Sequence, residues 1–396
     1  FAAILGDPPT TKAEMRADSL TLADRVAGAL WGMFIADALA MPVHWFYGGV
    51  AQIRRVFGQP IAGYIAPLSQ KGSFPESIMA LSSTGGAGRG GSDSDIVGTV
   101  INHGKKGFWA RGGGYHYHCS LERGETTLEG EMARLAMRSL TSGGEGGFDL
   151  DRMQREYVDF MTTPGSHRDA YASSYHRMFF QNRAAGRPLR ECPSNDGHNV
   201  DAIDGLVIPA VVLLGGAARP EGEALLEAQQ SVRVTRSSPR VEGYVAELSA
   251  VLRGVLRGEQ TAAEAAQAAA VRRTGRRIEA DPRRPDPVVA CYIDDNFASL
   301  LGLAAKYTSF SEALLANANA GGENVHRGLV LGALVGAQVR GGRTRRKERG
   351  TACSHAQTRT KLARNSQVPR GGSPSRRTSS RLRRLPRLAP RASLPS

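Results

Sequence analysis

The stretch that decides the fold is "NAGGENVHRGLVLGALVGAQVR", residues 319–340. Two glycines lead into four polar or charged residues, Glu323, Asn324, His326 and Arg327. The run from Gly328 to Ala337 that follows is entirely small or apolar. Such a glycine-rich segment forms a helix that lets its neighbours approach closely, so its first turn is expected near the centre of the domain. Polar groups carried to that depth need partners.

Working outward, "LADRVAGALWGMFIADALA" (residues 22–40) reads as a first helix, capped by Ser19 or Thr21. In it Gly28, Gly32, Ala36 and Ala40 fall four apart and make a small-residue ridge on which another helix can pack. Helical spacing recurs at 127–140, at 149–164 before Pro164, at 241–260, and in the alanine-rich 262–273. It recurs again at 291–307 and 309–320. "DAIDGLVIPAVVLLGGAA" (residues 201–218) reads as a kinked buried helix. No run alternates at period two and no fixed repeat is visible. The expected fold class is all-α, with one helical domain over residues 20–340, a flexible lead over 1–19 and a separate tail over 341–396.

The 396 residues carry a formal charge of +14, which suggests a nucleic-acid binder until the charge is located. Residues 341–396 hold 16 of the 51 Lys and Arg against one acid, Glu348, so the preceding chain has 35 bases and 36 acids. The tail lacks Phe, Trp, Tyr, Ile and Met and is expected to be disordered. It could bind nucleic acid or an anionic surface without sequence preference, but no aromatic residue interleaves its arginines. The four cysteines are spread, with no CxxC pair. The opening residues do not read as a secretory signal, and the apolar stretch 205–218 is too short to span a bilayer and contains Pro209. A soluble chain in a reducing, cytoplasmic setting is the expectation. The glycine-rich loop 82–95 lacks the GxxxxGK[ST] pattern of a phosphate loop.

Polar groups gather where the helices begin and end: Asp37 and His44 at the first, and His116, His118, Thr127 and Glu129 around the second. Asn199 and Asp201 lie mid-chain, and Glu323, Asn324, His326 and Arg327 precede the glycine-rich helix. Each has a plain structural explanation when taken alone. Asp37 can bond to a neighbouring backbone, His116 and His118 read as a solvated loop pair, and "SNDGHN" is rich in turn formers. Glu129 is ordinary N-terminal helix chemistry.

Together, "ADALAMPVH" (residues 36–44), "TLEG" (127–130) and "GGENVHRG" (321–328) resemble the motifs of the ADP-ribosylglycohydrolase family, over about residues 24–338. The resemblance implies a compact orthogonal multi-helix bundle and hydrolysis of an N- or O-glycosidic bond to ADP-ribose. It also implies two divalent cations, usually magnesium, between the second and last helices. Thr127, Glu129, Glu323 and His326 stand at the implied metal positions, with Glu129, Glu323 and His44 as the acid–base set. Asp37, His116, His118, Asn199, Asp201, Asn324 and Arg327 would bind substrate, Arg327 by neutralising Glu323 or meeting a phosphate. Leu128 and Val325 replace two of the family's four aspartates, and His44 replaces its signature Glu. Neither apolar residue can ligate, so metal use is expected to depart from the family's. Magnesium or manganese follows from the resemblance, while the histidine suits zinc or iron. The partner is an ADP-ribosylated or small-molecule substrate, and the alternative is an inactive member that binds a nucleotide sugar.

Overall fold

The computed structural model describes residues 20–79, 96–143, 147–197, 199–281 and 283–339. The loop 82–95, the lead before residue 20 and the basic tail lie outside the described residues, as does His198.

The elements that place the site are α1 (Leu22–Ala40), α2 (Gly49–Phe57), α3 (Leu128–Ser142), α4 (Leu150–Thr162), α5 (Ser174–Ala184) and α6 (Val207–Gly215). They continue as α7 (Glu221–Ser231), α8 (Pro239–Leu256), α9 (Ala262–Thr274), α10 (Ile293–Lys306), α11 (Phe310–Ala320) and α12 (Asn324–Gly336). Among the described residues there is no β-strand, only isolated bridges such as Ala202 with Tyr292. The fold is all-α.

Local chemistry explains the ends. Thr21 caps α1 by accepting the Asp24 N–H at 3.1 Å, while the Asp24 carboxylate receives the Thr21 N–H. Thr261 and Glu264 repeat that reciprocal cap at α9. Leu150–Thr162 ends before Pro164. In place of the kinked helix expected over 201–218, a 3-10 turn over 203–206 leads into α6, which starts only at Val207 and carries Pro209 in its first turn. Helices α2, α5 and α7 have no counterpart in the sequence reading. α5, "SYHRMFFQNRA", mixes aromatic and charged residues, and its hydrophobic period is weak.

The packing is decided by α1 and α12. They run antiparallel, with Gly28 against Gly336, Gly32 against Gly332 and Ala36 beside Gly328. A Cβ placed on Gly32 would lie 2.0 Å from the Gly332 carbonyl oxygen, and one on Gly332 would lie 2.1 Å from that of Gly32. The two backbones therefore touch, which no side chain at these positions would allow. Every residue of α12 is buried, because α1, α6, α10 and α11 surround it. By length and composition, Leu22–Val43 could cross a bilayer, but its window is 67% buried inside the protein, as for a core helix.

This antiparallel register has a positional consequence. It sets the end of α1, with Asp37 and His44 beyond it, beside the start of α12, with Glu323 and His326. The loop between α11 and α12 makes the approach possible. Gly321 and Gly322 have φ of +68° and +59°, and a Cβ on them would meet the Phe46 and Val289 carbonyl oxygens at 2.3 Å each. Only glycine fits that path.

Candidate functional site

Glu323 sits at the N-terminal end of α12 and is completely buried. Its Oε1 faces His44 Nε2 at 3.0 Å and lies against His326 Nδ1. Its Oε2 accepts the Trp45 indole N–H at 2.5 Å. Trp45 holds a left-handed backbone (φ +61°), unusual for an aromatic residue. Its own N–H donates to the Gly322 carbonyl at 2.9 Å, which ties the α1 exit to the α12 entrance.

Behind His44 runs a chain of buried groups. His44 Nδ1 meets His118 Nε2 at 2.7 Å, and His118 Nδ1 meets Asp169 at 2.9 Å. Asp169 also accepts the backbone N–H groups of Leu128 (2.9 Å) and Tyr171 (3.2 Å), so it holds the start of α3 as well as the ring. Asp37 does the same from α1: Thr127 gives it both its N–H and its hydroxyl proton, each at 2.7 Å. Glu129, one residue into α3, accepts the Tyr175 hydroxyl proton at 2.5 Å and lies 3.4 Å from His176.

Electrostatics sort these groups. Burial alone would push Glu323 up, but the facing His326 and His44 hold it well below the usual carboxylate range. Burial likewise opposes ionisation of Glu129, yet His176, His326 and Tyr175 hold it at about 2. Burial pulls His326 down, and the carboxylates of Glu323, Glu129 and Asp204 outweigh it, raising the ring to about 10. Burial lowers His44 to about 4 despite Glu323, and raises Asp37 to about 7 despite Thr127. The floor of the site thus sets the ionised Glu323 and Glu129 around the protonated ring of His326, with His44 neutral beside them.

His44 gives a measurable consequence. Its folded pKa of about 4 lies below the ordinary 6.5, so the unfolded chain binds that proton more readily. The stability it contributes is complete above about pH 6.5 and is lost as the pH falls through about 4. Urea midpoints measured across this window are expected to fall, and His44→Gln is expected to flatten the fall. An unchanged slope in the variant would assign the acid sensitivity to other groups.

Above Glu323 and His326 opens a cleft of about 520 Å³. Its wall includes Trp45, Tyr117 and Tyr171, whose rings meet edge to face at 4.3–5.3 Å. Asn199, Asp204 and Cys291 complete the rim.

The structure brings together His44, His118, Glu323 and His326, with Glu129 close enough to lower its pKa through His326. Asn199 reaches the cleft. The other expected substrate ligands do not line it. Arg327 is a partial correction: its guanidinium is fully buried, donates to the Asn317 side chain (2.8 Å) and to backbone carbonyls, and does not line the cleft. Burial disfavours its ionised form, and the Glu323 charge still favours it. Asn324 donates to the Ala318 carbonyl, and Asp201 accepts from the Ser238 hydroxyl. Asp37 is spent on Thr127 and is sealed from the cleft, and the Thr127 hydroxyl is directed at that carboxylate. His116 and His118 are a second correction. Both are buried rather than solvated, and His116 faces the His44 carbonyl at 3.2 Å from between Phe46 and Phe74. Sequence reasoning missed Asp169, Tyr117 and Tyr171. Tyr117 stands between His116 and His118, in a stretch read only for its histidines, and the stretch of Asp169 and Tyr171 carries no motif.

The family model described as ADP-ribosylglycohydrolase matches residues 18–342. A solved structure described as an ADP-ribosylglycohydrolase-related protein complex aligns at 20% identity with a TM-score of 0.49, covering 81% of this chain and 89% of the other. No curated protein matches.

Proposed function

As the chain belongs to the ADP-ribosylglycohydrolase family, we propose that it hydrolyses an N- or O-glycosidic bond to ADP-ribose or a related nucleotide sugar, with metal use unlike the family's. The observation that carries this reading is the meeting of His44, Glu323 and His326 under an aromatic-walled cleft large enough for a nucleotide.

A pair of magnesium ions does not fit. Magnesium prefers hard oxygen ligands, and Leu128 and Val325 occupy two of the implied aspartate positions. Both side chains lie in the apolar core, 2% and 0% exposed. The protein's own groups supply the rest of the chemistry. Trp45, Tyr117 and Tyr171 offer ring faces and edges for a planar base. Glycosidic cleavage passes through a state with positive charge on the sugar, and the ionised Glu323 and Glu129 favour that charge.

The test is release of ADP-ribose from ADP-ribosylated arginine and serine substrates, with and without added magnesium, manganese or zinc. Release under at least one condition is expected. The second reading, an inactive member that holds a nucleotide sugar, is favoured by the same Leu128 and Val325. It predicts no release under any metal, together with calorimetric binding of ADP-ribose.

A further inference from the structure

We propose that three residues beside the two lost aspartate positions form a one-cation site of their own. His44 Nε2, Glu323 Oε1 and His326 Nδ1 bind a single ion of the zinc class, and Asp169 and His118 fix the ring of His44 for that task. The proposal deepens the hydrolase reading and can fail separately from it.

The first support is convergence. The three side chains come from the exit of α1 and the first turn of α12, all are buried, and their ligand atoms lie within 4.8 Å of one another. Two imidazole nitrogens with one carboxylate oxygen form a set that suits zinc and leaves a fourth position open. Glu323 and His326 border the cleft, which gives that position access to solvent. The Trp45 N–H occupies Oε2, so Glu323 presents one oxygen to the ion.

The second support is orientation. Asp169, anchored by the backbone N–H groups of Leu128 and Tyr171, meets His118 Nδ1, and His118 Nε2 meets His44 Nδ1. This buried series holds the His44 ring so that its Nε2 is turned to Glu323 Oε1. His326 Nδ1 lies against the same oxygen, Glu323 Oε1. A carboxylate that orients a metal-binding histidine through its far nitrogen is a common outer partner, and here the relay passes through one additional ring. An ion so held supplies Lewis acidity to a water at the open position.

The experiment uses the full chain, stripped with chelator and titrated with zinc chloride alone at about pH 8, where zinc has to displace the proton that Glu323 holds on His326. Calorimetry is expected to give one zinc per chain, with magnesium at about a thousandfold excess failing to displace it. Glu323→Gln and His326→Gln are expected to lose binding. Asp169→Asn is expected to weaken it about 10- to 100-fold while leaving the stoichiometry at one. Because Asp169 also holds α3, circular dichroism accompanies each variant, and Trp45 emission on zinc addition gives a second readout. The proposal is overturned if no zinc is taken up, if two ions bind, or if uptake survives both Glu323→Gln and His326→Gln. Stoichiometric zinc without ADP-ribose release would overturn the hydrolase reading alone. Release by metal-free protein that takes up no zinc would overturn this site alone.

Discussion

Gly32→Ala is expected to destabilise the protein by more than about 3 kcal/mol, near the upper end for overpacked cores. The added Cβ would sit 2.0 Å from the Gly332 carbonyl oxygen, and the obstacle is backbone, which cannot rotate aside. Relief requires α1 and α12 to separate along the length they share. That separation opens the core on both sides and draws His44 away from Glu323. The same substitution at Gly302 in α10 is expected to do the opposite. Nothing lies within 4 Å of a Cβ there, and alanine is the better helix former by about 0.5–1 kcal/mol. Urea denaturation of the two variants checks both signs. Equal and small shifts would mean that the helices are not in backbone contact.

Glu323→Gln is expected to lower ADP-ribose release about 10²- to 10³-fold, the range for removing one group that stabilises transition-state charge. The change keeps the side chain's shape and its capacity to accept from Trp45, but it removes the charge that both His44 and His326 face. His326 then loses the foremost of the carboxylates that hold its proton to about 10. Breaking such a buried pair by removing one partner costs about 3–5 kcal/mol. Activity and stability are therefore expected to fall together, while binding of ADP-ribose through the aromatic wall changes little. A variant that retains a tenth or more of the wild-type rate would place the chemistry on other groups.

The all-α class was legible because hydrophobic spacing at 22–40, 127–140, 241–260 and 291–307 is strong and local. The α1 ridge was legible for the same reason: a period of four on one helix needs no knowledge of its partner. Helices α2, α5 and α7 were not, since their amphipathic signals are short or mixed with aromatic and charged residues. Of the candidate site, Glu323, His326 and His44 were read from motif positions. Arg327 was read as a ligand contact because it adjoins them. One residue along a helix is a turn of about 100°, so adjacency in sequence sent its guanidinium towards Asn317 instead.

By itself the sequence determined the helical class, the family, the small-residue faces of the first and last helices, and the loss of two acidic positions at Leu128 and Val325. Those properties are periodic or local, so they survive without coordinates. Tertiary structure alone decided which groups share a hollow. Antiparallel contact between Gly28, Gly32 and Gly332, Gly336 sets the register that carries His44 to Glu323, and it brings Asp169 and the aromatic wall from distant loops. Burial then fixed the charges, because removing water makes each carboxylate and imidazole answer to its nearest neighbour rather than to its type.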